Sequence, residues 1–489
     1  MSTPIKPISN PRFTINVLSD AEVLRIHTAT LEVIEHTGVK FPLPHALDIL
    51  EAHGAKVDRS TFIAKIPGEA IEVALKLAPP AYTLAAQDPA QDLLMDGHHV
   101  FLGTDGCGVE VIDPFTGEIH RSSKKDVADC ARVADALEEV SFWWAMVSAQ
   151  DCLPESRGLH ELEAAWNQTT KHLQTESLLH KGEMDTAIQM ATLLAGGRQE
   201  LRKRPMLSIM QCTISPLAHD PGSLEAGLIA AEAGLPVGYM TMASCSSTGP
   251  ATPAGNLVVG NAEVIAALAL IQMAFPGAPV FYAAAQTSMD LRTGAYTGGG
   301  PEDYLFGAAT NQLADFYHVP LSMGAFATGA KQPDWQAAVD NSFSSFMASA
   351  SGADMLLGCG LLQGSKILSY EQMVMDCEIY SIVRKILEGI VVDEDHLAMD
   401  VIQSVGPGGN FLAQKHTRQH MREQWMPKLM DRRPYEQWLE KKDGAREWAQ
   451  QHARDILQNH HPEPLDSKLA SELAKIIASY EKQEKDRLI

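Results

Sequence analysis

The feature that most constrains the fold is an alternation of apolar segments with helical patterns, which begins near residue 126. The apolar segments that predict buried strands are residues 142–148, 171–174, 206–213, 237–242, 280–285, 321–327 and 355–358. Stretches with helical periodicity, such as residues 185–195 and 223–233, separate them. This alternation is typical of a parallel sheet. We place an eighth strand near residues 365–368 and predict an α/β fold, a (βα)8 TIM-type barrel, with an open doubly wound sheet as the alternative.

The chain on either side of the alternating region has a different texture. Residues 1–125 predict an N-terminal mixed α/β unit, whose first helix begins at a capping box formed by Ser19 and Glu22 and ends at Gly38. Residues 126–400 then hold the barrel, which is the predicted catalytic domain. Residues 401–489 are rich in charged side chains and predict a helical C-terminal extension.

Charge and cysteine usage exclude several classes of protein. The sequence has 39 Lys and Arg against 61 Asp and Glu, a net charge of −22, and such a field repels the phosphates of nucleic acids. No signal peptide is expected at the N-terminus, and the longest apolar run, residues 264–275, is too short to span a membrane. The seven cysteines are dispersed without a CxxC pair. We therefore expect a cytoplasmic protein with reduced thiols and no membrane partner.

Polar and aromatic side chains recur near the predicted strand ends. They are His172, Gln174, Gln211, Tyr239, Tyr282, Gln286 and Phe326. Each alone is more often a packed or hydrogen-bonded core residue than a ligand contact. Because barrel enzymes place their sites at the C-terminal ends of strands, the recurrence predicts a binding pocket there.

Other candidate motifs carry weaker signals. The sequence has no HExxH, GxSxG or Walker A motif. His416 and His420 lie four residues apart on a predicted helix, but two ligands are too few for zinc, so we predict packing and no bound metal. Gly298, Gly299 and Gly300 predict a flexible loop over the barrel mouth. Lys331 follows a strand end, where a Schiff-base lysine could lie, although a surface lysine in a polar turn is the favoured interpretation.

Four segments resemble the trimethylamine methyltransferase family, in the same order along the chain. They are residues 18–41, 111–137, 328–338 (TGAKQPDWQAA) and 405–417 (VGPGGNFLAQKHT). The resemblance implies a (βα)8 barrel that moves a methyl group from an amine to the cobalt of a separate corrinoid protein. The trimethylamine enzyme carries pyrrolysine, whereas this chain contains only standard residues. Family members without pyrrolysine resemble demethylases of quaternary amines such as glycine betaine, proline betaine or carnitine.

The implied chemistry needs a bound cation more than a reactive side chain. A quaternary ammonium leaves as a neutral tertiary amine, so attack by cob(I)alamin needs no further electrophile, and no catalytic residue is assigned. Aromatic faces bind such cations. The candidates for a cage are Tyr282, Phe326, Tyr239 and Phe101, with Trp143, Trp144 and Trp335 in reserve. The candidate donors to a substrate carboxylate are His172, Gln174, Gln211, Gln286 and Arg292.

Glycine betaine, which would give dimethylglycine, is the expected substrate, and the alternatives stay open. They are a methyltransferase for another betaine or a methylamine, a non-catalytic betaine-binding or regulatory barrel, and a lyase that uses Lys331. The chain lacks the Asp-x-His-x-x-Gly run of corrinoid carriers. The corrinoid is therefore expected to arrive on a carrier protein that docks at the barrel mouth, and the enzyme is expected to be a homo-oligomer.

Overall fold

A closed barrel of eight parallel strands forms the centre of the molecule in the computed structural model, which describes residues 2–106 and 108–487. The strands are β1 (His99–Thr104), β2 (Val140–Trp144), β3 (His172–Thr175), β4 (Leu207–Ile214), β5 (Val237–Thr241), β6 (Val280–Ala284), β7 (Leu321–Gly324) and β8 (Met355–Cys359). Each strand pairs with the next, and β8 pairs with β1 to close the barrel. The predicted TIM-type barrel is confirmed.

The position of one strand was predicted wrongly. All seven predicted strands belong to the barrel, but the remaining one is β1, which lies before residue 126. The segment expected to be the eighth strand, Ile367–Ser369, instead pairs with Glu110–Ile112 in a small four-stranded sheet. A glycine interrupts the apolar run of β1 because a Cβ at Gly103 would lie 2.3 Å from the ring of Phe142. This interruption made β1 look like part of the N-terminal unit.

One helix follows each barrel strand and covers the outside of the barrel. These helices are α1 (Lys124–Ala136), α2 (Arg157–Trp166), α3 (Lys181–Ala195), α4 (Pro221–Ala233), α5 (Pro253–Ala274), α6 (Pro301–Tyr317), α7 (Trp335–Ser351) and α8 (Tyr370–Leu387). Within the described residues, α5 alone is long and apolar enough to cross a membrane. Its most apolar stretch is 83% buried inside the protein, which is the pattern expected of a core helix.

The N-terminal elements pack on the barrel in two places, with the helices against α5 on the outside and the hairpin at the end where the strands begin. They include the helices Asp20–Glu32, Pro44–Ala52 and Gly68–Leu75 and the hairpin Tyr82–Leu84 and Leu93–Met95. As predicted, Glu22 accepts a hydrogen bond from the Ser19 amide at the start of the first helix. The hairpin is fixed to the barrel through backbone bonds, among them Ala85 N to the carbonyl of Pro205, just before β4.

The C-terminal region is helical, as the sequence predicts. Its helices are Glu394–Leu397, Met399–Val405, Lys415–His420, Tyr435–Lys441, Ala445–Asn459 and Ser467–Arg487. The last two pack on the barrel helices, and polar contacts tie them down: His460 lies 2.8 Å from Asp135 of α1, and Glu481 lies 3.0 Å from His160 of α2. The segment from residue 390 to residue 434 is much more exposed than either end of the extension.

Candidate active site

The strand register decides which side chains face the barrel interior. Trp144 of β2 pairs with Gln174 of β3, and Gln174 pairs with Ser208 of β4, so these three side chains share one face. Side chains of the opposite face meet the surrounding helices: the hydroxyl of Thr241 donates to Glu263 of α5 at 2.8 Å. Since neighbouring residues of a strand alternate between faces, Trp144 and Gln174 point into the barrel.

An acidic and aromatic cluster, formed by Asp105, Trp144 and Tyr296, lies where β1 and β2 end. Asp105 directly follows β1, and its carboxylate accepts hydrogen bonds from the Gly106 amide at 2.8 Å and from the hydroxyl of Ser365. Gly106 packs so closely on Trp144 that a Cβ would lie 2.5 Å from the indole ring. Gly364, beside Ser365, packs in the same way on the ring of Tyr296, at 2.8 Å. The chain neighbours of Asp105 and of its partner Ser365 therefore pack on two aromatic rings, which brings this carboxylate and the rings into one region.

Burial makes the carboxylate of Asp105 easier to protonate than an exposed one. Desolvation raises the pKa of Asp105 to about 6, against the opposing effect of its hydrogen bonds with Ser365 and Gly106. Burial, with smaller contributions from the nearby charges of Asp303 and Asp105, raises the pKa of Tyr296. A cation beside Asp105 would relieve the desolvation penalty of the charged form. Tyr296 is 46% exposed, whereas Asp105 and Trp144 are buried.

A cavity of about 530 Å³ adjoins the cluster at the carboxyl-terminal ends of β2 to β5. Ala145, which follows Trp144, lines it together with three acidic residues: Glu161, Glu176 and Asp220. No lysine, arginine or histidine is among the described residues that line it. A cavity with this lining favours a cationic ligand and disfavours a free anion.

Two titratable side chains of the cavity have raised pKa values. Glu161 accepts hydrogen bonds from the Ala149 amide at 3.0 Å and from the hydroxyl of Ser177 at 2.9 Å, yet burial still raises its pKa. The thiol of Cys212 donates to Glu176 at 3.4 Å. Burial and the charge of Glu176 raise the pKa of Cys212 well above its usual value. The thiol is therefore protonated at neutral pH and is not a nucleophile.

Several buried polar atoms at this end of the barrel have no hydrogen-bond partner within the described chain. They are the indole Nε1 of Trp144 and the amide oxygens of Gln174 and Gln211. Buried polar groups are ordinarily paired, so unpaired ones grouped beside a cavity indicate positions for a ligand's polar atoms. Both glutamines were predicted as site residues. Gln174 faces the barrel interior, whereas Gln211 pairs with the outward-facing Tyr239 and lines the cavity.

Other predicted site residues point away from the mouth. Tyr239 extends towards α4, where a Cβ at Gly227 would lie 2.3 Å from its hydroxyl oxygen. The Tyr282 hydroxyl lies 3.3 Å from the side-chain oxygen of Asn261 in α5, and Gln286 donates to the side-chain oxygen of Asn256 at 2.7 Å. These three residues were predicted to line the pocket because they lie near strand ends. The alternation of side chains along each strand instead points them towards the surrounding helices.

Two more candidates lie at the opposite end of the barrel. His172 is the first residue of β3, and its ring nitrogens hydrogen-bond with the carbonyl of Ala85 at 2.8 Å and the hydroxyl of Ser208 at 2.9 Å. Phe101 lies near the beginning of β1 and stacks on His99, with ring centroids 5.7 Å apart. Both are fully enclosed by the hairpin end of the barrel, which corrects their expected place at the mouth.

The remaining candidates are spread over several environments. Phe326 is fully buried two residues after β7, and Trp143 is buried on the outward face of β2. Trp335, the first residue of α7, is 80% exposed. Arg292 is exposed and pairs with Asp290 at 3.1 Å. Lys331 donates to the carbonyl of Gly329 in an exposed turn, as the favoured interpretation predicts.

The glycine loop lies on the mouth side, between β6 and α6. Gly298, Gly299 and Gly300 all have positive φ, at 55°, 127° and 139°. The Gly299 amide donates to the Asp303 carboxylate at 2.7 Å, and a Cβ at Gly299 would lie 2.6 Å from Asp340. This packing explains why glycine is needed here. Movement of the loop stays a prediction.

Two residues of the candidate site that the sequence analysis did not predict lie at recognisable positions in the sequence. Asp105 and Glu176 each follow the last residue of a barrel strand, the position at which barrel enzymes carry functional groups. Asp105 was overlooked because β1 was assigned to the N-terminal unit. Tyr296 lies in a loop, and only the fold brings its ring against Gly364.

Comparison with known proteins gives consistent matches over the whole chain. The family model for trimethylamine methyltransferase matches residues 1–485. A trimethylamine methyltransferase, MttB, from Desulfitobacterium hafniense is 36% identical over 472 residues, which are 96% of this chain and 95% of the relative. A glycine betaine methyltransferase from another strain of that organism is 32% identical over 472 residues, 96% of this chain and 98% of the relative. Among solved structures, the Methanosarcina barkeri monomethylamine methyltransferase MtmB is 11% identical with a TM-score of 0.47, covering 93% of this chain and 97% of that one.

Proposed function

The chain belongs to the trimethylamine methyltransferase family, and from that premise we propose that it removes a methyl group from a quaternary amine, glycine betaine, and transfers it to a corrinoid protein. The relatives include both a trimethylamine and a glycine betaine methyltransferase, so the names of relatives do not choose between these substrates. The absence of pyrrolysine in this sequence favours the quaternary amine.

The charge pattern of the mouth carries the proposal. The cavity is lined by three carboxylates and no described basic side chain, and it adjoins the cluster of Asp105, Trp144 and Tyr296. A quaternary ammonium has no N–H to donate, so it is recognised by charge and by aromatic faces rather than by hydrogen bonds. The carboxylate of Asp105 would supply the charge, and the rings of Trp144 and Tyr296 would supply the aromatic faces.

The carboxylate of glycine betaine needs donors in the same region. Among the described residues, the buried indole Nε1 of Trp144 has no hydrogen-bond partner. The amide nitrogens of Gln174 and Gln211 donate over long distances, to the Ser208 hydroxyl at 3.2 Å and the Leu178 carbonyl at 3.4 Å, and could exchange these contacts for a substrate carboxylate. An amide side chain can present either its oxygen or its nitrogen to a ligand by rotating. These groups are the proposed partners of the substrate carboxylate, and they offset its repulsion by the acidic lining.

The reaction asks the protein to bind and orient rather than to supply a reactive group. The N–CH₃ bond breaks, and its electron pair remains on nitrogen, so that dimethylglycine leaves with a neutral tertiary amine and an unchanged carboxylate while the methyl group passes to the acceptor. A Co(I) corrinoid supplies the nucleophilic electron pair. Asp105 and the rings stabilise the positive charge before it is lost, so they act mainly on substrate affinity. Enclosure of one methyl group at the mouth aligns it for attack and excludes water.

The rim of the barrel offers anchors for a separate protein that carries the corrinoid. Trp335 at the start of α7 is 80% exposed, and Leu291 in the loop after β6 is 74% exposed. Exposed tryptophan and aliphatic side chains are frequent anchors at protein interfaces. The acidic surface would steer a carrier with a basic docking patch, so that association slows as salt rises. A reduced corrinoid also accords with the predicted cytoplasmic location.

Turnover with defined components tests the proposal. Purified protein is incubated with glycine betaine, proline betaine, carnitine or trimethylamine, with and without a reduced corrinoid protein, and the demethylated amine is quantified. We expect dimethylglycine from glycine betaine, and only when the corrinoid is present. Demethylation without any corrinoid would overturn the mechanism, and preference for trimethylamine would overturn the substrate. Binding of glycine betaine without turnover would favour a regulatory barrel.

A further inference from the structure

The segment from residue 390 to residue 434, here called the C-terminal arm, has little hydrophobic core of its own. The helices Glu394–Leu397, Met399–Val405 and Lys415–His420 contain no buried residue. Several large apolar side chains of the arm, such as Ile390 and Leu412, are mostly exposed. Segments that bury too little apolar surface to fold alone are commonly held together by a disulfide or a metal.

Three potential metal ligands from two of these helices converge in the arm. They are Asp395, His416 and His420, whose ligand atoms all lie within 4.8 Å of one another. His416 and His420 lie one turn apart on the helix Lys415–His420, with ring centroids 4.2 Å apart. Asp395 comes from the other helix, 21 residues before His416, and its backbone carbonyl lies 3.0 Å from the Nε2 of His416.

The two nitrogens of His420 have different environments. Nε2 faces Asp395, with its carboxylate oxygen 3.3 Å away. Nδ1 lies 2.8 Å from the carboxylate of Glu423, which also lies 3.4 Å from Nε2 of His396. A histidine that binds a metal through one nitrogen almost always donates from the other to a carboxylate or carbonyl, which fixes the tautomer. Glu423 occupies that supporting position.

We propose that Asp395, His416 and His420 bind a divalent transition metal, zinc in the first instance, and thereby join the two helices of the C-terminal arm. Two imidazoles and a carboxylate form a ligand set that zinc accepts, with water at the remaining position. Binding would displace protons from the histidines and exchange the contact between His416 and the Asp395 carbonyl for a metal bond. The sequence argument against metal considered only the two histidines, because Asp395 joins them only through the fold.

Zinc binding by the full-length, untagged protein tests the site. The protein is stripped with a chelator, titrated with Zn²⁺ in competition with a chromophoric chelator, and assayed for bound metal after gel filtration. We expect one equivalent of Zn²⁺ per chain, released as the pH is lowered and the histidines are protonated. A stripped chain that binds no Zn²⁺ in competition with a weak chelator would overturn the proposal.

Variants locate the bound metal. His420→Ala and Asp395→Asn are expected to lose the bound equivalent, and Glu423→Gln is expected to weaken it roughly 10- to 100-fold, as is usual for a supporting carboxylate. Gln419→Ala, at an exposed position of the same helix, is the matched control and should bind like the original protein. If His420→Ala and Asp395→Asn both retained the equivalent, the assigned site would be wrong.

Limited proteolysis provides a second readout that does not depend on metal affinity. Zn²⁺ is expected to slow cleavage within residues 390–434 in the original protein and in Gln419→Ala, but not in His420→Ala. All variants must keep the same thermal unfolding midpoint of the barrel, since none of these residues is buried in it. Equal protection by Zn²⁺ in His420→Ala would contradict a metal that joins the two helices.

Discussion

Several polar side chains at the two ends of the barrel differ in whether they have hydrogen-bond partners. At the end where the strands begin, the buried Lys171 donates to the carbonyls of Ala134 and Leu137, at 2.6 and 2.8 Å, and His172 is hydrogen-bonded through both ring nitrogens. At the other end, Trp144 Nε1 lacks a partner among the described residues, and Asp105 retains a carboxylate whose pKa is raised to about 6.

This difference distinguishes polar groups that stabilise the fold from polar groups that are candidates for binding a ligand. Burial lowers the pKa of His172 to about 4, so the ring stays neutral and serves as a hydrogen-bonded part of the core. Asp105 is also buried, but its hydrogen-bond partners among the described residues, the Gly106 amide and the Ser365 hydroxyl, are uncharged. A buried charged group beside a cavity, with no opposite charge to stabilise it, is a candidate for a functional residue. A buried polar group whose hydrogen bonds are all made is more often a residue that stabilises the fold.

The largest effect is expected from removing a ring at the strand-beginning end. Phe281 is fully buried in β6. Its ring packs so closely on Gly238 of β5 that a Cβ added to this glycine would lie 2.0 Å from the ring. Phe281→Ala should reduce the free energy of unfolding by about 3–5 kcal/mol, because it leaves a cavity that the barrel cannot fill. Denaturant unfolding measures this, with Phe343→Ala, an exposed phenylalanine of α7, as the control. A small loss of unfolding free energy in Phe281→Ala, or a large loss in Phe343→Ala, would contradict the stabilising role assigned to this end of the barrel.

The next largest effect is expected on substrate affinity at the mouth. Asp105→Asn preserves the size of the side chain and removes its charge, so glycine betaine should bind roughly 10- to 100-fold more weakly at pH 8, which corresponds to about 1.4–2.8 kcal/mol. Because the interaction precedes methyl transfer, KM should rise more than kcat falls. Calorimetric titration and steady-state rates provide the two values. Unchanged affinity would remove Asp105 from the site.

A smaller effect is expected from the exposed ring of the cluster. Tyr296→Ala should weaken binding by about two- to fivefold, equivalent to roughly 0.5–1 kcal/mol for a cation over a partly exposed ring. Tyr296→Phe keeps the aromatic face and should bind normally. The matched control is Tyr282→Phe, which alters only a hydroxyl near Asn261 in the helical layer. A larger loss of affinity in Tyr282→Ala than in Tyr296→Ala would favour the original cage prediction.

The sequence predicts the barrel much better than it predicts the site. Apolar alternation located seven of the eight barrel strands, because burial on both faces gives continuous apolar runs. It missed β1, where Gly103 makes room for Phe142. The site depends on which way each side chain points, and a shift of one residue reverses that direction: Gln174 faces the interior, whereas Tyr282 faces α5. Contacts such as that of Tyr296 with Gly364 join distant segments and leave no pattern in the sequence.

The most direct test of the account is the pH dependence of glycine betaine binding in the original protein and in Asp105→Asn. The quaternary ammonium keeps its charge at every pH, so any change in affinity reports protonation of the protein. Because the pKa of Asp105 is raised to about 6, affinity should be constant above pH 7 and fall as the carboxylate is protonated below that value. Asp105→Asn should bind weakly at pH 8 and depend much less on pH. Equal affinity from pH 8 to pH 5 in the original protein would contradict a cation site built on Asp105.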